Sequence, residues 1–164
     1  MKWDGFISTL PSYIKSFIAA FVVVLSIGYF TGLTFVRQTD TVTPDGIEEN
    51  YLGNEEIEDV EVMKFKKGDR EMLTILHTHI LSISFIFFLL GGLVSITALP
   101  KKWKHFLMVE PFVSILLTFG GIYLMWSGIS WMKYVVMISG TLMTIVYIVS
   151  AGVVLTALFR RKRI

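Results

Sequence analysis

The chain has 164 residues, 54% of them hydrophobic and 17% charged, where soluble domains carry roughly 25% charged residues, and its mean hydropathy is +0.66. That balance excludes an ordinary soluble domain, and a net charge of +2 lacks the strong basic bias that would point to nucleic acid. The absence of cysteine removes disulfides, iron–sulfur and zinc-thiolate sites, covalent c-type haem and cysteine nucleophiles, leaving any chemistry to His, Met, Glu, Tyr or a bound cofactor.

A bilayer core about 30 Å thick needs roughly 20 apolar residues in a helix. The first charge-free run, 16–36, lies between Lys15 and Arg37 and predicts a membrane span. It ends in Ser26-Ile27-Gly28-Tyr29-Phe30-Thr31-Gly32 and not in a small-x-small cleavage site, so it reads as a retained helix and not as a secretory signal. Gly28 and Gly32 form a G-x-x-x-G step, extended backwards by Ala20, of the kind that lets helix backbones approach closely.

Residues 37–71 form one long loop, opening on the turn signal Thr43-Pro44-Asp45-Gly46. Its 40–71 part holds eleven acids against four bases, a net charge of −7. No D-x-[DN]-x-[DN]-G pattern marks a calcium loop, and the acidic cluster reads as a solvated face. Ile57, Val60, Val62, Met63 and Phe65 are too apolar for a mere linker, and docking on the bundle mouth or on another subunit is the alternative.

The second run, 72–98, contains His77 and His79. Two residues apart on a helix is about 200°, so the two imidazoles face opposite ways and cannot clip one ion together. His77 shares a stripe with Thr74, Ser84, Gly91 and Ser95 and is expected to face the bundle, whereas His79 heads the bulky stripe Ile83, Ile86, Leu90 and Leu93, expected to face lipid or another subunit. Buried imidazole in a span is a candidate ligand for haem b or quinone. A bis-His haem within one chain is disfavoured, because His105 lies at the opposite end of the bundle, roughly 30 Å away by helix rise. His77 with Met125 or Met137, and with Met72, His79 and Met132 near the same level, is a candidate copper set, since thioether and imidazole suit Cu(I). The competing reading places both histidines at the wet interface and uses the methionines as core filler.

The third run, 106–127, holds Glu110 followed by Pro111. Proline is tolerated in a first helical turn, so the span is expected to begin near Pro111 with Glu110 at the interface. The functional alternative is a proton path through His105 and Glu110, continued by Thr118 and Tyr147. The fourth run is 134–159. Short second and third connections force antiparallel neighbours, so the fold class is all-α: an integral membrane up-down four-helix bundle with one long outer loop. Lys101, Lys102 and Lys104 in the second connection and Arg160, Arg161, Lys162 and Arg163 in the tail predict cytoplasmic N- and C-termini, with the acidic loop outside. Signatures of phosphate-binding loops, serine hydrolases and zinc peptidases are absent.

Gly46-Ile47-Glu48-Glu49, Gly53-Asn54-Glu55-Glu56, Met63-Lys64-Phe65-Lys66-Lys67 and the run from Glu71 through His77-x-His79 to Ser82 together resemble an uncharacterised family of small bacterial inner-membrane proteins, sometimes mislabelled elongation factor-1 alpha. The likeness covers mainly residues 28–92, and it implies that the loop and the two histidines belong to one unit; it supplies no activity. The whole chain is also similar in architecture to small b-type cytochrome bundles, a likeness that does not establish haem. The expected role is a non-catalytic inner-membrane subunit or assembly partner linked to a respiratory or redox complex, contacting the lipid bilayer and other membrane subunits or further copies of itself. The competing role is an electron carrier binding haem b or quinone through His77, with copper binding and transport ranking below it.

Overall fold

Pro11 ends an extended lead-in, and α1 (Ser12–Gln38) begins directly after it. The computed structural model describes residues 6–55 and 62–159, so the acidic stretch 56–61, with Ile57 and Val60, and the basic tail 160–163 lie outside the described residues. Four more helices follow: α2 (Pro44–Leu52), α3 (Asp69–Ser95), α4 (Lys101–Trp126) and α5 (Met132–Phe159). The fold class is therefore all-α, with no strand among the described residues. Helices α1, α3, α4 and α5 are long and apolar enough to cross a membrane. They form an up-down bundle in which α4 packs on α3 and α5, and α1 packs on α5.

Local sequence explains the helix limits. Thr43 caps α2, its hydroxyl oxygen accepting from the Gly46 amide at 3.1 Å, and Pro44 occupies the first helical turn, where its missing N–H costs nothing. Asp69 and Glu71 stand in the first turn of α3, where carboxylates complement the positive end of the helix dipole. α4 runs unbroken from Lys101 through Pro111. The expected start near Pro111 is thus corrected: a proline that forfeits one backbone hydrogen bond is tolerated in a membrane helix held by neighbours, and Pro111 is buried. Glu110 consequently lies about 13 Å along a helix about 39 Å long, well inside it.

The long loop is built onto the bundle. Ile47 of α2 is buried, and α2 packs on α4 and α5. Gly46 passes so close to the Asp40 carbonyl that a Cβ there would overlap it. Asn54, buried, donates from its side chain to the Val62 carbonyl at 3.0 Å and accepts from the Lys64 amide at 2.7 Å, holding the chain on either side of 56–61 together. The Trp126 indole donates to the Lys67 carbonyl at 2.8 Å, and Lys133 pairs with Asp45 at 2.8 Å and Glu48 at 2.6 Å. The acidic cluster read as a solvated face, 55–61, lies outside the described residues except for Glu55, which is exposed; earlier in the loop, the fold brings Lys133 of α5 beside Asp45 and Glu48. Val62, Met63 and Phe65 remain exposed, and Ile47 supplies the apolar contact with the bundle. Burial also pushes the Tyr51 phenol up from its ordinary pKa, so it stays neutral well into the alkaline range.

Lys133 ties two carboxylates of α2 to the start of α5, so Lys133→Ala is expected to loosen α2 while leaving the spans intact. Amide hydrogen exchange across Pro44–Leu52 should quicken, with protection in α4 and α5 unchanged. Uniform loss of protection would instead mean that the ion pairs hold the whole bundle.

At the opposite end, the turn Ile7–Thr9 packs on α5, and the Ile7 amide donates to the Ile96 carbonyl at 2.8 Å. Ile7 is buried there, closing the end where α1 and α4 begin.

Candidate functional site

Inside the bundle, hydroxyls gather on the faces where α1, α4 and α5 meet. Thr118 of α4 bonds Ser139 of α5 at 2.7 Å, and Gly121 lies against Val136. That antiparallel register places Glu110 level with Tyr147. Tyr147 is fully enclosed and stacks on Tyr29 of α1, with ring centroids 3.8 Å apart and planes 2° from parallel. Phe87 of α3 meets the Tyr147 ring edge-on at 6.0 Å. The Tyr147 hydroxyl donates to Ser26 Oγ at 3.2 Å, Ser26 in turn donates to the Val22 carbonyl at 2.7 Å, and the Tyr29 and Thr144 hydroxyls lie 3.4 Å apart. Glu110 is within electrostatic reach of Tyr29. Ser114 donates to Glu110 Oε1 in a short hydrogen bond, while Glu110 Oε2 is buried with no hydrogen-bond partner. Ser150 Oγ, one turn beyond Tyr147 on the same face of α5, is likewise buried and unpartnered.

The proton-path residues are thus divided. Glu110 and Tyr147 share one level of the bundle, Thr118 lies two turns further along α4 with Ser139, and His105 is exposed on the outside of α4. Tyr29, Ser26 and Ser150 were not singled out from the sequence. A hydroxyl-bearing Ser26-x-x-Tyr29 step within an apolar span was the available signal, but its meaning depends on the register between α1 and α5.

His77 takes a position opposite to expectation and the bulky stripe turns inward, whereas His79 itself is exposed. Met72, Phe87, Leu90, Gly91 and Val94 are the buried residues of α3, and Leu76, Ile80 and Ile83 pack beside them. The bulky stripe therefore faces the bundle, and His77 lies exposed away from it. His79 flanks the packed stripe, its ring 5.4 Å from that of Phe119 and its Nδ1 donating to the Ile75 carbonyl at 2.8 Å. The small polar residues of α3 do not need the core, since Thr74, Ser82 and Ser95 hydroxyls donate to carbonyls of their own helix. Met72 and Met125 are fully enclosed, Met132 is buried with its methyl beside Gly121, and Met137 is half-buried. They fill core space, whereas His77 stands outside it, and among the described residues no group of three or more His, Asp or Glu is placed to hold a metal ion.

The other notable surface is α1. Among the described residues it buries Ile18 and Val22, compared with nine residues of α4 and ten of α5. A Cβ at Gly28 or Gly32 would meet nothing within 4 Å. Ser26, Phe30, Thr31, Thr34 and Leu155 line an open groove of about 480 Å³ between α1 and α5.

A family model described as a transmembrane helical domain, Aq_1264_TM, matches residues 41–164, the stretch containing α2 to α5. The chain belongs to that family and is a multi-pass membrane protein in contact with the bilayer. No curated protein and no solved structure matches it.

Proposed function

We propose that this member of the transmembrane family is a non-catalytic subunit or assembly partner of a larger membrane complex, and that α1 is the helix it offers to its partner. The observation that carries this reading is the open small-residue face of α1 at Gly28 and Gly32, on a helix whose packing against the rest of the chain leaves only Ile18 and Val22 buried. In lipid, helices gain little from hiding apolar surface, so close backbone approach at small residues is what drives association. α1 also precedes the stretch matched by the family model, which supports a role separate from the α2–α5 unit. The bundle sits in the bacterial inner membrane with both termini cytoplasmic, a reading supported by Lys101, Lys102 and Lys104 at one end and the acidic loop at the other. The partner class is a respiratory or redox complex.

Because the chain has no native cysteine, Gly32→Cys makes a unique thiol for crosslinking in native membranes. The expected result is one discrete adduct whose second component is a respiratory or redox subunit. A self-adduct alone would replace this reading with a homo-oligomer, and no adduct would overturn it. Purified in mild detergent, the protein should show no Soret band; a band lost in His77→Ala would replace the structural role with haem-based electron transfer.

A further inference from the structure

We propose that residues 62–67, the strap leading into α3, enter the phospholipid headgroup region at the long-loop end of the bundle, with Met63 and Phe65 inserted and Lys66 and Arg70 meeting lipid phosphates. The strap is fixed in place. The Lys64 amide donates to Asn54 Oδ1 at 2.7 Å, the Lys64 carbonyl accepts from the Asn54 amide at 3.0 Å, and the Lys67 amide donates to the Tyr51 carbonyl at 3.1 Å. Gly53, at φ +84°, passes so close beneath it that a Cβ would lie 2.8 Å from the Lys66 nitrogen. Lys64 turns inward, its Nζ 3.5 Å from the Thr39 carbonyl and 4.0 Å from Glu49, whereas Met63 and Phe65 on either side of it are 57% and 66% exposed.

Two helix ends set the level of the strap relative to lipid. Trp126, the last residue of α4, donates to the Lys67 carbonyl, and α3 starts at Asp69, just after the strap. By helix rise, Trp103 and Trp126 stand about 35 Å apart along α4, which matches a hydrocarbon core of about 30 Å with an aromatic belt at each face. Trp131 and Tyr134, both exposed, continue the belt at the same end of the bundle as the strap. Met63 and Phe65 therefore extend a surface that already meets lipid. The charges fit the same partner. Lys64 and Lys67 pair with Glu49 and Glu71, while Lys66 lies over the Trp126 ring at 5.3 Å, and among the described residues neither Lys66 nor Arg70 enters an ion pair. Apolar side chains flanked by unpaired cations match the layers of a phospholipid interface, acyl chains beneath phosphates, whereas protein interfaces are depleted of lysine. This anchor is independent of the partner-binding face of α1.

The chain has no cysteine, so Met63→Cys gives a single attachment point for a nitroxide label in the full chain reconstituted into phospholipid liposomes. Collisions of the label with oxygen, which concentrates in lipid, should exceed those with a water-soluble nickel chelate several-fold. The ratio should be reversed for a label at Glu55→Cys, an exposed acid of the same loop. Adding Phe65→Asp to Met63→Cys should bring its ratio to the value at position 55, because the anchor loses its larger apolar side chain. A label at position 63 that meets the nickel chelate as freely as one at position 55 overturns the proposal. A label shielded from both reagents overturns it in favour of a protein contact. A ratio unchanged by Phe65→Asp removes Phe65 from the anchor and overturns the paired insertion. Should Phe65→Asp fail to insert, Phe65→Ser decides the same point without a charge.

Discussion

Tyr147→Ala should lower the stability of the bundle by roughly 3 kcal/mol, the low end of the range for aromatic-to-alanine core changes. The ring is fully enclosed, stacked on Tyr29 and met edge-on by Phe30 at 6.4 Å and Phe87 at 6.0 Å, so its removal opens a cavity among three helices. The low end applies because a helix already in lipid regains no water-exclusion term on packing, leaving lost contacts and the cavity as the penalty. Tyr147→Phe keeps the ring and deletes the hydrogen bond to Ser26, a loss of about 0.6 kcal/mol for an average interhelical bond in lipid. Reversible unfolding in mixed detergent micelles measures both. Equal losses would mean that the hydroxyl, and not the ring, fastens α1 to the bundle.

Glycine positions supply the second contrast. Gly121→Leu should cost about 2–3 kcal/mol in the same assay, as overpacking does in a filled core. A Cβ there would lie 2.9 Å from Val136 Cγ2 and 3.5 Å from the Met132 methyl, and leucine adds three carbons beyond it. The helices α4 and α5 would have to separate along the most extensive seam of the bundle. Gly32→Leu should change the stability of the isolated chain by less than about 0.5 kcal/mol, because its surroundings are open. It should still abolish the adduct formed through a cysteine at position 28, since the close approach of a partner helix would be blocked. A large stability loss at Gly32 with none at Gly121 would put the packed seam on the wrong helix.

The four apolar runs were legible because lipid imposes a one-dimensional requirement: a stretch of chain is apolar over enough length or it is not. Helix rotation was not legible in the same way. In water the apolar stripe of a helix faces inward and the polar one outward, but in a bilayer the core and the surroundings are almost equally apolar, and serine or threonine hydroxyls can be satisfied within their own helix, so polarity alone does not set the rotation. His77 itself accordingly lies exposed, while the bulky stripe of Ile83, Ile86, Leu90 and Leu93 packs, joined by Gly91 from the His77 side of the helix. Pro111 misled for a related reason, since its cost depends on the neighbours that hold the helix on both sides of it. Glu110 was identifiable as the one carboxylate in an apolar run, and Tyr147 was named with it, whereas Tyr29 and Ser150 acquire meaning only beside them.

Composition and the order of charges along the chain, by themselves, determined an all-helical membrane protein with one long acidic loop. The tertiary structure decided that part of this loop is a helix seated on the bundle, that Lys133 answers Asp45 and Glu48, and that a carboxylate oxygen and a serine hydroxyl are left unpartnered beside a stacked tyrosine pair. The physical reason is that partition into lipid is a property of each segment, read one residue after another. Contacts between helices depend on register and rotation, which are settled by packing among side chains far apart in sequence.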